Sequence, residues 1–385
     1  MVEPPIKYLD HQYARRKLEE MVAIPSVVGE ESELAHYLEE ELKALGLETE
    51  LHQVSPGRPN VYARLEGTKP GRKLNLNGHT DTVPVVQGWE TDPFQPTVKG
   101  DRLHGLGACD MKGGIACALA ALKAYADASP GFKGELSFSG VVDEEAMGTG
   151  AKAMLETRWS RVDGIILGEP YTATPENPTP LGITGKILYD IHVHGKAAHA
   201  FNPEAGINAI EQAGIILANL PKLKVGSHQG FQGNYSTLKI EGGYQRYSVV
   251  VPEHCRFEVN RLTVPGETRE QLIADMESLV ESLGLEAKTT VTIKPPYYAP
   301  YKMDRENPLV QAFHQAYTET TGHQPHYTHS SSITDANTFM GEGNIPCIHL
   351  GPHPGGPHQA NEYTTLTSIK TTAEIYVRLI AEFLQ

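Results

Sequence analysis

The sequence predicts an α/β protein: a two-layer larger domain on a largely parallel, mixed sheet, interrupted by a smaller α+β domain of ferredoxin-like order. Three observations predict it. At 385 residues the chain exceeds what one core comfortably serves. Strand-like and helix-like runs alternate up to about residue 168, the pattern of a parallel α/β layer. Between two proline-rich breaks the order then changes to β-α-β-β-α-β, the split βαβ pattern.

Residues 32–45 place Leu34, Leu38, Leu42 and Leu45 at near-helical spacing, and Gly46 is the expected stop. Segments 60–66 and 73–77 alternate as strands do, 111–128 is Ala-rich and helical, and 134–142 and 162–168 are apolar enough for buried strands. The stretch 171–180, rich in proline, is expected to be a linker. A strand ILYDIHVHG, a helix over 205–220, two strands, the helix TREQLIADMESLVESLG and the strand KTTVTIKP follow, ending at Pro295-Pro296. Helical periodicity resumes at 308–321, a strand is expected at 345–350, and a helix closes the chain. The expected domains are therefore 1–179 with 296–385, and 180–295 inserted between them.

Lys and Arg number 33 against 47 Asp and Glu, a net charge of −14, which argues against nucleic acid or an anionic membrane as partner. The N-terminus is polar, with no secretory signal pattern, and no stretch approaches a membrane span, so a cytoplasmic location is expected. Cys109, Cys117, Cys255 and Cys347 form no CxxC pair, and reduced thiols are expected.

Chemistry-bearing residues gather at the ends of predicted strands, where open α/β folds place their sites. In LNLNGHTDTVPV, His79 and Asp81 share a face of an extended segment, so Asp81 can support the ring nitrogen that His79 does not offer to a metal. Taken alone, His-x-Asp is also an ordinary polar turn. Asp110 in GLGACDMKGG stands before a helix, where a lone Asp could simply be a cap. In VVDEEAMGTG, Glu144 and Glu145 leave one turn in different directions, so one can bind metal while the other faces the reacting water. Glu169 directly follows the strand GIIL. As a set, these oxygen-rich groups without sulfur suit two metals sharing a carboxylate, with zinc, cobalt or manganese all compatible. A second imidazole is available from His349, His353 or His358.

In its ordered motifs GHTDTVP, WETDPFQPTVKGDRLHGLGACDMKGG, DEEAMGTGA, GEP, GKAAHAFNPEAGINAI and PHQANEY, the chain resembles a family of di-zinc metallohydrolases and metallopeptidases. That family comprises aminoacylase, acetylornithine deacetylase, succinyl-diaminopimelate desuccinylase and glutamate carboxypeptidase. The resemblance spans nearly the whole chain. It implies a catalytic domain interrupted by a ferredoxin-like lid that commonly mediates homodimerisation, and hydrolysis of an N-acyl amino acid or similar amide. A dipeptidase or carboxypeptidase with the same site is the alternative, and a non-catalytic binding protein of the same fold is the reading from another class.

By the same resemblance, His79 and Glu169 hold one ion, Glu145 and His358 the other, and Asp110 bridges them. Asp81 supports His79, and Glu144 is the general base. His358 is preferred over His353 for its His-x-x-Asn-Glu setting. His199 matches a histidine that reaches a neighbouring subunit's site, and Arg261 one that grips the substrate carboxylate. The chain departs from the family at Val249 (beside Ser248), where an asparagine is common, and at Ile333, where many relatives have a Gly-Gly-Thr-Asp run.

Overall fold

The computed structural model describes residues 4–128 and 131–385. The chain forms two compact units. The first runs to Leu181 and resumes over Met303–Thr328 and Thr334–Gln385; the second comprises Gly182–Lys302 with His329–Ile333.

In the first unit, α1 (His11–Val22) begins where the Asp10 carboxylate accepts the N–H groups of Gln12 and Tyr13. α2 (Ser32–Ala44) turns Leu34, Leu38 and Leu42 inward and stops at Gly46, whose φ of 82° favours a residue without Cβ. β1 (Glu48–Ser55), β2 (Arg58–Glu66) and β3 (Lys69–His79) follow, then α3 (Lys112–Asp127), β4 (Lys133–Val141), α4 (Thr149–Leu155) and β5 (Gly164–Leu167). The small residues of α3 bury nearly its whole circumference, because the helix packs against α1 and β3. Thr179 and Pro180, expected in a linker, already belong to a buried strand, Thr179–Ile183.

The second unit contains β6 (Gly185–His194), α5 (Ala209–Asn219), β7 (Asn234–Gly242), β8 (His254–Thr263), α6 (Arg269–Ser282) and β9 (Lys288–Tyr298). They form a four-stranded antiparallel sheet in the order β7-β8-β6-β9. Ile187, Tyr189, Ile191 and Val193 of β6 join Phe257, Val259 and residues of both helices in one core. The helix expected over 205–220 starts only at Ala209, because the Asn208 side chain caps it. β9 runs through Pro295-Pro296 to Tyr298, with a register break between Lys294 and Tyr298. Prolines have no N–H to give the ladder, so the pairing lapses there without ending the strand.

The chain returns through α7 (Pro308–Thr321) and β10 (Cys347–His349), and ends in α8 (Leu366–Phe383). The first unit's main sheet has the order β1-β2-β4-β3-β5-β10. β4, β3, β5 and β10 are mutually parallel, while β2 runs antiparallel to its neighbours β1 and β4. Leu74 and Leu76 of β3 point to one face, Asn75 and Asn77 to the other, and all four are buried. The sheet is thus covered on both faces, one layer more than the two expected. Its buried asparagines are satisfied across the strand pair, Asn75 by the Ser137 hydroxyl at 3.0 Å and Asn77 by Ser139 at 2.8 Å. The four cysteines are free and buried. Among the described residues no helix is long and apolar enough to cross a membrane.

Candidate metal centre

The parallel strands deliver side chains to one end of the main sheet. His79 is the last residue of β3 and pairs in register with Val141, which places it beside the turn carrying Asp143, Glu144 and Glu145. Asn77 pairs with Leu167, so Glu169 emerges level with His79. Nε2 of His79 lies 3.1 Å from Oδ1 of Asp110 and 3.9 Å from Oε1 of Glu169. Nε2 of His358 lies 3.3 Å from the other oxygen of Asp110 and 2.9 Å from Oε1 of Glu145. The structure therefore brings together His79, Asp110, Glu145, Glu169 and His358. Ligand-capable atoms of His79, Asp110 and Glu145, and of His79, Glu144 and Glu169, lie within 4.8 Å of one another.

Asp81 supports this cluster differently from the sequence expectation. Its main-chain oxygen, 2.9 Å away, receives Nδ1–H of His79, while its carboxylate stands 3.7 Å from that nitrogen. The carboxylate instead accepts the N–H groups of Glu144 and Glu145 at 3.2 and 2.9 Å. One residue thus orients the imidazole through its backbone and the glutamate pair through its side chain. The Nδ1 donation leaves Nε2 of His79 facing carboxylates.

Further groups, unrecognised in the sequence as site residues, hold the ligand loops. Glu362, buried, accepts the N–H groups of Gly107, Cys109 and Asp110 at 3.0, 2.9 and 3.1 Å. Lys112, wholly buried, donates to the carbonyls of Met21 and Ile24 and so ties the start of α3 to the end of α1. Burial pushes its ammonium down to about 7. Asp143, at φ 72°, is held by Arg58 at 2.9 Å, and Arg58 also grips buried Glu31. The only sequence signal for these was Glu362 following His358 and Asn361; nothing local announces a partnership between Arg58 and Asp143.

The electrostatics follow from crowding. Burial first, then the charge of Glu169, pushes the Glu144 carboxyl well above its usual range. Burial and the charge of Asp110 do the same to Glu169. For Asp110 burial acts in the same direction, but His358 and His79 outweigh it and hold the carboxyl low. Contacts with Asp110 and Glu145 raise the His358 imidazole to about 10. Carboxylates this close, with Lys112 turned to other partners, call for cations between them. An oxygen-rich set with two imidazoles and no thiolate fits zinc, cobalt or manganese.

The remaining expected residues lie elsewhere. His349 ends β10, buried, with Nε2 2.9 Å from the Thr334 hydroxyl, and exposed His353 meets Ser368 through its backbone. In the second unit His199 is exposed, and its Nδ1 accepts the N–H of Phe201 at 3.2 Å. Arg261 is fully buried, with Glu267 at 2.6 Å and the Tyr189 hydroxyl at 3.1 Å. It is not a rim group, and its charge is already met.

Residues 75–382 match peptidase family M20/M25/M40. The chain belongs to this family. Membership makes this M20 protein a hydrolase of amide carbon–nitrogen bonds. It is 30% identical to an acetylornithine deacetylase of Myxococcus xanthus, over 91% of this chain and 92% of the relative. It is 28% identical to an N-formyl-4-amino-5-aminomethyl-2-methylpyrimidine deformylase of Bacillus subtilis, over 92% and 88%. The M20 fold is shared with an aminopeptidase of Bacillus cereus, at TM-score 0.80 and 22% identity over 98% and 100% of the two chains. It is shared too with a dinuclear metal-binding M20 peptidase of Bacillus subtilis, at TM-score 0.74 and 18% identity over 97% and 98%.

Proposed function

We propose that this M20 protein hydrolyses the amide bond of an N-acyl amino acid with two divalent ions, zinc foremost, held by His79, Asp110, Glu145, Glu169 and His358. The observation that carries this reading is Asp110, whose two oxygens face two different imidazoles, His79 and His358. When bound, such a pair of ions activates water and polarises the scissile carbonyl.

The protein's own groups divide the remaining work. Glu144 takes the proton of the attacking water and hands it to the leaving amine, and its raised proton affinity suits a group that must hold the proton in between. Asp81 holds the turn that carries Glu144 and Glu145 by accepting both of their N–H groups. Because Nδ1 of His199 accepts the N–H of Phe201, the proton of its neutral ring sits on Nε2, leaving an exposed donor for an oxyanion.

In this reading the second unit is a ferredoxin-like lid, and its β-α-β-β-α-β order supports that assignment. β7 is an edge strand with Leu238 and Ile240 exposed, a surface suited to a second copy of the chain that would offer His199 in trans. For Arg261 to take the substrate carboxylate, that carboxylate has to replace Glu267.

The test is metal content of wild type, Glu145→Ala and Glu144→Ala, alongside hydrolysis of a panel of N-acyl amino acids and dipeptides. Two ions in wild type, metal loss in Glu145→Ala, and lost turnover with retained metal in Glu144→Ala are expected. Cleavage of dipeptides only would transfer the chemistry to the dipeptidase alternative. A metal-reconstituted wild type that holds no ion would overturn the reading.

A further inference from the structure

The open face of the second unit's sheet carries a second set of metal-capable side chains. Ile191 and Val193 of β6 lie in the helix-covered core, so strand alternation turns Asp190, His192 and His194 to the opposite face. On β8, Cys255 and Phe257 are in that core, which turns His254 to the same open face. His254 pairs directly with His194 in the antiparallel register. Their rings meet edge-on at 5.7 Å between centroids, and His192 stacks on His194 at 6.3 Å.

We infer that His192, His194 and His254 form a binding site for a borderline transition-metal dication, Zn²⁺ above all, separate from the carboxylate-rich centre. Two histidines at i and i+2 on one strand and a third on its hydrogen-bonded neighbour present three imidazoles from one rigid surface, a donor set that zinc accepts with its fourth position open. Two further features of the face fit this use. Nε2 of His192 is 3.2 Å from the carboxylate of Asp190, which leaves Nδ1 for an ion and supplies the outer carboxylate that commonly orients a zinc-binding histidine. A shallow cavity of about 260 Å³ is lined by all three histidines, together with Gly242 and Gly243.

The nearby cations do not close the site. Arg256 is engaged by Asp190 at 2.6 and 2.8 Å, and Lys288 is the exposed cross-strand neighbour of His194. The rings stand stacked and edge-on, so rotation about their side-chain torsions is what converges three nitrogens on one ion. His192 is half-buried and the other two are exposed, which leaves them free to make that rotation.

The test is equilibrium dialysis of the full chain against micromolar free Zn²⁺, comparing wild type, the His194→Ala/His254→Ala double variant and a His228→Ala control. His228 is an exposed histidine of the same unit outside the cluster. Wild type and the control are expected to retain one more Zn²⁺ per chain than the double variant, whatever number the carboxylate-rich centre holds. Equal zinc in wild type and double variant would refute the site. An equal loss in the His228→Ala control would refute it too, by making the extra zinc non-specific. The comparison is a difference between variants, so failure of the two-metal reading leaves it interpretable.

Discussion

Oε1 of Glu362 accepts the main-chain N–H of Asp110 at 3.1 Å, so the glutamate that closes the last site motif holds the residue lying between the two imidazoles. The same carboxylate takes the N–H groups of Gly107 and Cys109. A single buried acceptor therefore sets the shape of the Asp110 loop.

Glu362→Ala leaves these buried donors without a partner. It is expected to cost on the order of 3 kcal/mol of stability, since each unmet group costs about 1–3 kcal/mol, and to weaken metal retention. Glu362→Gln keeps an acceptor oxygen and should recover most of both. Urea denaturation and metal content read the effect; an alanine variant matching wild type in both would show that the loop keeps its shape unaided.

The start of α3 lies against the residue before Glu169. A Cβ added at Gly114 would stand 2.0 Å from the carbonyl oxygen of Gly168, and backbone there cannot yield as a side chain would. Gly114→Ala is expected to cost about 1–3 kcal/mol and to lower turnover, because Asp110 and Glu169 flank the contact. Gly214 of α5 has nothing within 4 Å of such a Cβ, so Gly214→Ala should be neutral or stabilising by up to about 1 kcal/mol. Thermal unfolding of the two variants gives the comparison, and equal behaviour would contradict the close-approach argument.

His349 supplies a pH dependence. Burial pushes its imidazole down to about 3 from an ordinary 6.5. As pH falls below 6.5 the unfolded chain binds a proton that the folded chain refuses until about 3. The contribution to stability is therefore fully present above 6.5 and is lost on acidification through that window, by at most about 1.4 kcal/mol per pH unit. His349→Gln should flatten this slope relative to wild type in denaturation curves between pH 4 and 7. Parallel slopes would mean that the folded state accepts the proton.

Removal of the ions should also register in stability. Without them Glu144 and Glu169 face like charges at close range. Chelator-treated protein is expected to melt at a lower temperature than metal-loaded protein, because an ion bound only by the folded chain stabilises it. Re-addition of Zn²⁺ should restore the transition, and an unchanged melting temperature would mean that no ion is held.

Much of this molecule was legible in its sequence because strand and helix periodicities are local. The leucine stripe of α2, the helical run over 308–321 and the change of texture before β6 all follow from spacing over a few residues. The positions of His79, Glu145 and Glu169 after strands, and of Asp110 before a helix, were legible for the same reason, and the motif set carried the family. The burial of Asn75 and Asn77 was not, because an Asn-Leu alternation reads as one solvated face until serines of the neighbouring strand satisfy it.

By itself, then, the sequence determined the parallel strands, the split βαβ order and the short segments that carry chemistry, since each depends on side chains a few positions apart. Tertiary packing alone decided which partner each polar group took. It sent the carboxylate of Asp81 to two backbone N–H groups, sealed Arg261 against Glu267, and joined Glu362 to a loop 252 residues away. The physical reason is that a buried charge must find its partner wherever the folded chain brings one, and sequence spacing carries no record of that distance.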